Sequence, residues 1–72
     1  MAAPVLSVDV RDMLCAQALA LTSQALERLQ RGQAAEILYD AADVKRDLLV
    51  WARERGHSAR AHRPGALRVA KR

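Results

Sequence analysis

Val5-Leu6-Ser7-Val8-Asp9-Val10-Arg11-Asp12-Met13-Leu14-Cys15-Ala16-Gln17-Ala18-Leu19 changes its hydrophobic period part-way along. From Val5 to Val10, apolar and β-branched residues surround Ser7 and Asp9, which predicts a short strand with one better-buried face. From Ala16 onward, Ala18, Leu19, Thr22, Ala25, Leu26 and Leu29 recur at three- and four-residue spacings, the buried stripe of an amphipathic helix. Gly32 is the expected stop, because glycine accepts the left-handed conformation that commonly closes a helix. A strand feeding directly into a helix is the first half of a βαβ unit, and the rest of the chain is read outward from it.

Ala34 to Tyr39 alternates, with Ala35, Ile37 and Tyr39 on one side and Glu36 on the other, and predicts a second strand. Asp40 is placed to accept hydrogen bonds from the free amides of a following helix, and Asp43 adds favourable negative charge to its first turn. Along that helix Ala41, Val44, Leu48, Trp51 and Ala52 share a face, and Gly56 ends it. His57 to Ala61 and Ala66 to Ala70 are expected to close the domain as a hairpin around His62-Arg63-Pro64-Gly65. The tail Lys71-Arg72 is expected to fray. The expected fold class is therefore α/β, a two-layer sandwich in the order β-α-β-α-β-β. Two helices would cover one face of a four-stranded mixed sheet, as right-handed crossovers between parallel strands require. Residues 1–72 read as a single domain without repeat or linker.

Composition narrows the functional classes. A chain of 72 residues buries only about 60% of its unfolded surface, so a large enclosed cleft is not expected. Phenylalanine is absent and Trp51 and Tyr39 are the only large aromatics, so the core must be built from Leu, Val and Ala. One cysteine excludes an internal disulfide and favours a reducing compartment. Met1-Ala2-Ala3-Pro4 offers no basic segment leading into an apolar run, and Met13 to Leu26 is too short to span a bilayer. A cytoplasmic protein with no membrane association is the expectation. The net charge of +4 is unevenly spread: residues 53–72 carry +6 and residues 1–52 carry −2. A basic C-terminal third suits an acidic protein surface or a nucleic acid backbone, or it is simply a solvated face. Arg53, Arg55 and Arg60 are the candidate partner-binding residues.

Cys15 stands where the first strand gives way to the first helix. Free amides and the helix dipole there favour a thiolate, the nucleophilic form. The same position also begins the buried stripe, four residues before Leu19, so an inert core cysteine is the competing reading. His57 and His62 lack the spacing of a metal site with Cys15, and none is expected. No phosphate loop or dinucleotide fingerprint is present, and no cofactor is expected.

Val8-Asp9-Val10-Arg11-Asp12-Met13-Leu14-Cys15 resembles the motif of the TusA/SirA family of sulfur carriers, in which Asp, Gly and a Cys-Pro-x-Pro run open the first helix. Leu29 to Gly32, Asp47-Leu48, Trp51 and Gly56-His57 are similar to further family positions, in order, over nearly the whole chain. The chain departs from the motif at Ala16 and Ala18, which replace both prolines, and at Asp12, which replaces the glycine. The resemblance implies a carrier that holds sulfur as a persulfide on Cys15 rather than an independent enzyme. It also implies supporting roles for Asp9, Arg11, Asp12 and His57. Its implied partners are a cysteine desulfurase or rhodanese-type donor and a downstream acceptor protein, with an indirect connection to tRNA thiolation as one pathway. Asp12 is expected to raise the Cys15 pKa, and Arg11 to pair with Asp9 or Asp12. A monomer is the default. The alternative is a non-catalytic protein-interaction module, or an RNA-binding one, with Cys15 structural.

Overall fold

The computed structural model of the protein describes residue 4 and residues 6–72. The elements follow as β1 (Leu6–Asp9), α1 (Cys15–Glu27), β2 (Ala34–Leu38), α2 (Ala42–Glu54), β3 (Ser58–Arg63) and β4 (Ala66–Ala70). Val5, the expected start of β1, lies outside the described residues. β1 and β2 pair in parallel, β4 pairs antiparallel with both β2 and β3, and the sheet order is β1-β2-β4-β3. The chain thus forms the expected mixed, two-layer α/β sandwich.

Strand alternation and the two helical stripes meet in one core. Val8, Ala35, Ile37, Leu67 and Val69 point inward from the sheet and cluster with Ala18 and Leu26 of α1 and Val44, Leu48 and Ala52 of α2. Because a single cluster holds both helices, they share one face of the sheet. The opposite face is polar where Glu36, Arg68 and Arg60 stand in register across β2, β4 and β3. Trp51, expected in the core, is half-buried at its rim and packs on His57 with ring centroids 5.7 Å apart.

Several local expectations are corrected. α1 ends at Glu27, five residues before Gly32, because the backbone tightens: Arg28 and Leu29 donate to the carbonyls three residues earlier, Ala25 and Leu26. Gly32 shapes the entry to β2 instead, donating to the Lys71 carbonyl at 2.9 Å. Asp40 does not cap α2, whose N-cap is Ala41 without a side-chain bond. Its Oδ2 accepts the Asp12 amide at 3.1 Å, a donor that the turn before α1 leaves free. β3 begins after His57, which belongs to the closure of α2. The amide of Gly56 (φ +77°) donates to Arg53 and that of His57 to Ala52, a Schellman motif. The hairpin extends to Arg63 and turns on Pro64-Gly65, with a register shift between Ala61 and Arg63. Lys71 is not frayed: its amide donates to Gln33 and its Nζ to the Leu29 carbonyl, both at 2.8 Å. That ammonium satisfies a carbonyl just beyond the negative end of α1.

Candidate functional site

The parallel pairing of β1 and β2 starts both helices at the same end of the sheet. The turn that opens α1 there is built by side chains. Asp9 Oδ1 accepts the Arg11 amide at 3.0 Å, and the Arg11 guanidinium grips both carboxylate oxygens at 3.0 and 2.8 Å. The ion pair and hydrogen bonds hold the Asp9 carboxyl at about 2, below its ordinary value. Of the two expected partners for Arg11, Asp9 is the one engaged. Met13 closes the turn onto the Val10 carbonyl at 3.3 Å, and Asp12 sits at φ +63°, the position where a type II turn wants glycine. Asp12 thus stands at a place where backbone geometry, not side-chain chemistry, favours glycine.

Cys15 is the first residue of α1. The first helical bond runs from Ala18 to the Leu14 carbonyl at 2.9 Å, so the amides of Cys15, Ala16 and Gln17 have no carbonyl of their own helix to reach. Gln17 Oε1 turns back to the Leu14 amide at 3.2 Å, half of a capping box, since leucine has no acceptor to return. The thiol is free and half-buried, packed against the core at its edge. Around it the surface of α1 is uncharged, with Leu14 74% exposed and Ala16, Gln17 and Ala20 also exposed.

The thiol pKa lies above its ordinary value, opposite to the direction expected from the helix terminus alone. A hydrogen bond to the Asp47 carboxylate is the main cause, followed by partial burial and the negative charges of Asp47 and Asp43; Arg46 opposes them weakly. Asp12, expected to act on the thiol, is not among the groups that do. Asp47 is the residue that a reading of the local motif misses. Its signal was the four-residue spacing of Asp43 and Asp47, which puts two carboxylates on one face of α2, turned toward α1.

His57 lies beyond the C-terminus of α2, a helix of 13 residues and hence about 20 Å long, at the opposite end from Cys15. It accepts the Arg72 amide on Nδ1 at 3.4 Å. Its pKa is lowered by burial and by the charges of Lys71 and Arg55. The three candidate partner-binding arginines do not converge. Arg53 lines a groove between α2 and β3, Arg55 lies on the α1 side near Ser23 and Glu27, and Arg60 projects from the open sheet face. Among the described residues no cluster of three His, Cys, Asp or Glu side chains could hold a metal ion. Nor is any helix there long and apolar enough to cross a membrane.

A sequence profile described as Sulfurtransferase TusA matches residues 6–70, from the first residue of β1 to the last of β4. The chain belongs to the TusA family. Among curated proteins, none matches it. Membership gives this TusA-family protein a sulfur-carrier role in general, exercised with donor and acceptor proteins. Alanines at positions 16 and 18 are compatible with the helix that α1 forms there.

Proposed function

We propose that the protein relays sulfur as a persulfide on Cys15. The observation that carries this reading is the half-buried free thiol at the first residue of α1, beside amides with no helical partner. In loading, Cys15 sulfur attacks the outer sulfur of a donor persulfide, on a cysteine desulfurase or a rhodanese-type protein. The donor's S–S bond breaks, a new S–S bond forms at Cys15, and the proton leaving Cys15 goes to the departing donor thiolate. In unloading, an acceptor thiolate attacks the outer sulfur, and Cys15 regains its proton. Both steps conserve electrons, so no redox cofactor is required.

Asp47 gives this cycle a resting state. With the Asp47 carboxylate raising its pKa, Cys15 rests as the thiol, and the empty carrier is a poor nucleophile until a donor approaches. The charge of a persulfide sits on its outer sulfur, one S–S bond or about 2 Å further out. Loading therefore moves negative charge away from Asp47 and toward solvent. Asp9 and Arg11 act on this site through the turn they fix, while Asp12 and His57 have no contact through which to touch the transferred sulfur. Thiolation of tRNA is one destination for sulfur delivered this way, reached through the acceptor.

The test is intact mass spectrometry of the protein and of Cys15→Ser after incubation with a cysteine desulfurase and cysteine. A reducible gain of about 32 Da, one sulfur, confined to the unsubstituted protein supports the relay. No gain from desulfurase or rhodanese donors, together with slow alkylation of folded Cys15, makes the cysteine structural and the protein an interaction module.

A further inference from the structure

The cationic side chains of α2 border a groove beside the sheet edge. Lys45, Arg46 and Arg53 turn toward the edge strand β3, where Arg72 joins them, and together they border a groove of about 740 Å³ that is open to solvent. Its apolar floor is Leu49, Val50 and Ala59, and Val50 is half exposed. No carboxylate lines it, although α2 also carries Asp43, Asp47 and Glu54. Asp43 and Asp47 raise the thiol pKa, whereas Lys45, Arg46 and Arg53 border the groove.

We propose that the groove between α2 and β3 is a docking site for an acidic, extended segment of a protein partner. Four cations in a lining with no acidic side chain among the described residues select carboxylates, with Arg46 also 3.8 Å from Asp47, and the floor accepts one or two apolar side chains between them. β3 is an edge strand of the sheet, and Ser58 and Ala59 at the groove bring its backbone within reach of an extended chain. Arg60 and Arg63 on the same strand discourage pairing with a basic or neutral strand and favour an acidic one. Nucleic acid is the poorer fit, because single strands want aromatic faces to stack on. Tyr39 and Trp51 are packed against the core, and neither lines the groove. The groove also borders the surroundings of the thiol: Arg46 lies 3.8 Å from Asp47, the carboxylate that raises the Cys15 pKa. That the docked partner is a sulfur donor or acceptor rests on the relay reading; the preference for an acidic segment does not.

The full chain, labelled with nitrogen-15, is titrated at about 150 mM salt with an N-acetylated Glu-Leu-Glu-Val-Asp-Leu-Glu peptide and with its Gln/Asn counterpart. Amide shifts are expected to concentrate on Lys45, Leu49, Val50, Arg53, Ser58 and Ala59, for the acidic peptide alone. Arg46→Gln with Arg53→Gln should weaken binding at least about fivefold, whereas Arg60→Gln on the open sheet face should change it far less. Four results overturn the proposal: shifts centred on the open sheet face, equal binding of the uncharged peptide, the same shifts on raising protein concentration alone, or tighter binding of tRNA at the same salt. Sulfur loading is followed separately by mass. Loading without peptide binding removes the groove alone, and peptide binding without loading removes the relay alone.

Discussion

α1 and α2 have the same length, 13 residues, and each buries three side chains against the same sheet, yet they treat charge in opposite ways. α1 carries only Glu27, whereas α2 carries three cations and three carboxylates. The thiol sits on the sparsely charged helix, and the carboxylates that raise its pKa sit on the charged one. Burial is thus a duty the helices share, and electrostatic control is one they divide. A cysteine at a helix terminus cannot be judged from its own helix: the dipole of α1 favours thiolate, but Asp47 of α2, partial burial and Asp43 together raise the pKa.

Five substitutions break or sharpen this comparison. The largest effect belongs to the shared duty. Leu48→Ala on α2 and Leu26→Ala on α1 should each cost about 2–5 kcal/mol in urea denaturation, a large fraction of the stability of a domain this small. If one were silent, the helices would not bear equal weight in the core. Next comes the divided duty. Asp47→Asn removes the charge that disfavours thiolate, so the Cys15 pKa should fall and iodoacetamide should alkylate it several times faster at pH 8. An unchanged rate would show that α2 does not govern the thiol. The sign also fixes a stability trend. The folded thiol titrates above the unfolded one, so its contribution is complete below about pH 9 and lost as pH rises through the folded value; Asp47→Asn should flatten that loss.

Thr22→Val tests a flaw in the stripe of α1. The buried Thr22 hydroxyl has no hydrogen-bond partner among the described residues, and exchanging it for a methyl should stabilise the fold by about 1 kcal/mol, read as a raised denaturation midpoint. A loss of stability would mean that the hydroxyl is satisfied in solution. The smallest effect is expected at Asp12→Gly, which relieves a left-handed residue but frees the unfolded chain, for a net gain of under about 1 kcal/mol. A loss would instead assign the Asp12 side chain a stabilising role that its geometry does not suggest.

Much of this arrangement was legible in the residues, because period reports burial. The switch from alternation to helical spacing after Val10 located β1, α1 and Cys15, and Pro64-Gly65 located the hairpin. What could not be read depended on which ends come together. Asp47 is 32 positions from Cys15 and meets it only because parallel strands start both helices at one end of the sheet. Asp47 was read only within the Asp47-Leu48 family position, which gives its carboxylate no target. Asp40 looked like a cap for the helix after it, but the orphaned amide of Asp12 had the stronger claim. The groove required knowing that β4 inserts between β2 and β3, which leaves β3 at the edge beside α2. Arg53, Arg55 and Arg60 formed one basic cluster in sequence and lie on three surfaces in space.

The bonds that anchor Lys71 also determine where a fused or attached group would emerge. With Lys71 tied to Gln33, Gly32 and Leu29, Arg72 stands at the rim of the groove. A purification tag appended there would crowd the opening and obscure weak binding. A small environment-sensitive dye at the same point would instead act as a built-in reporter of occupancy, giving a signal without a change to any residue of the groove.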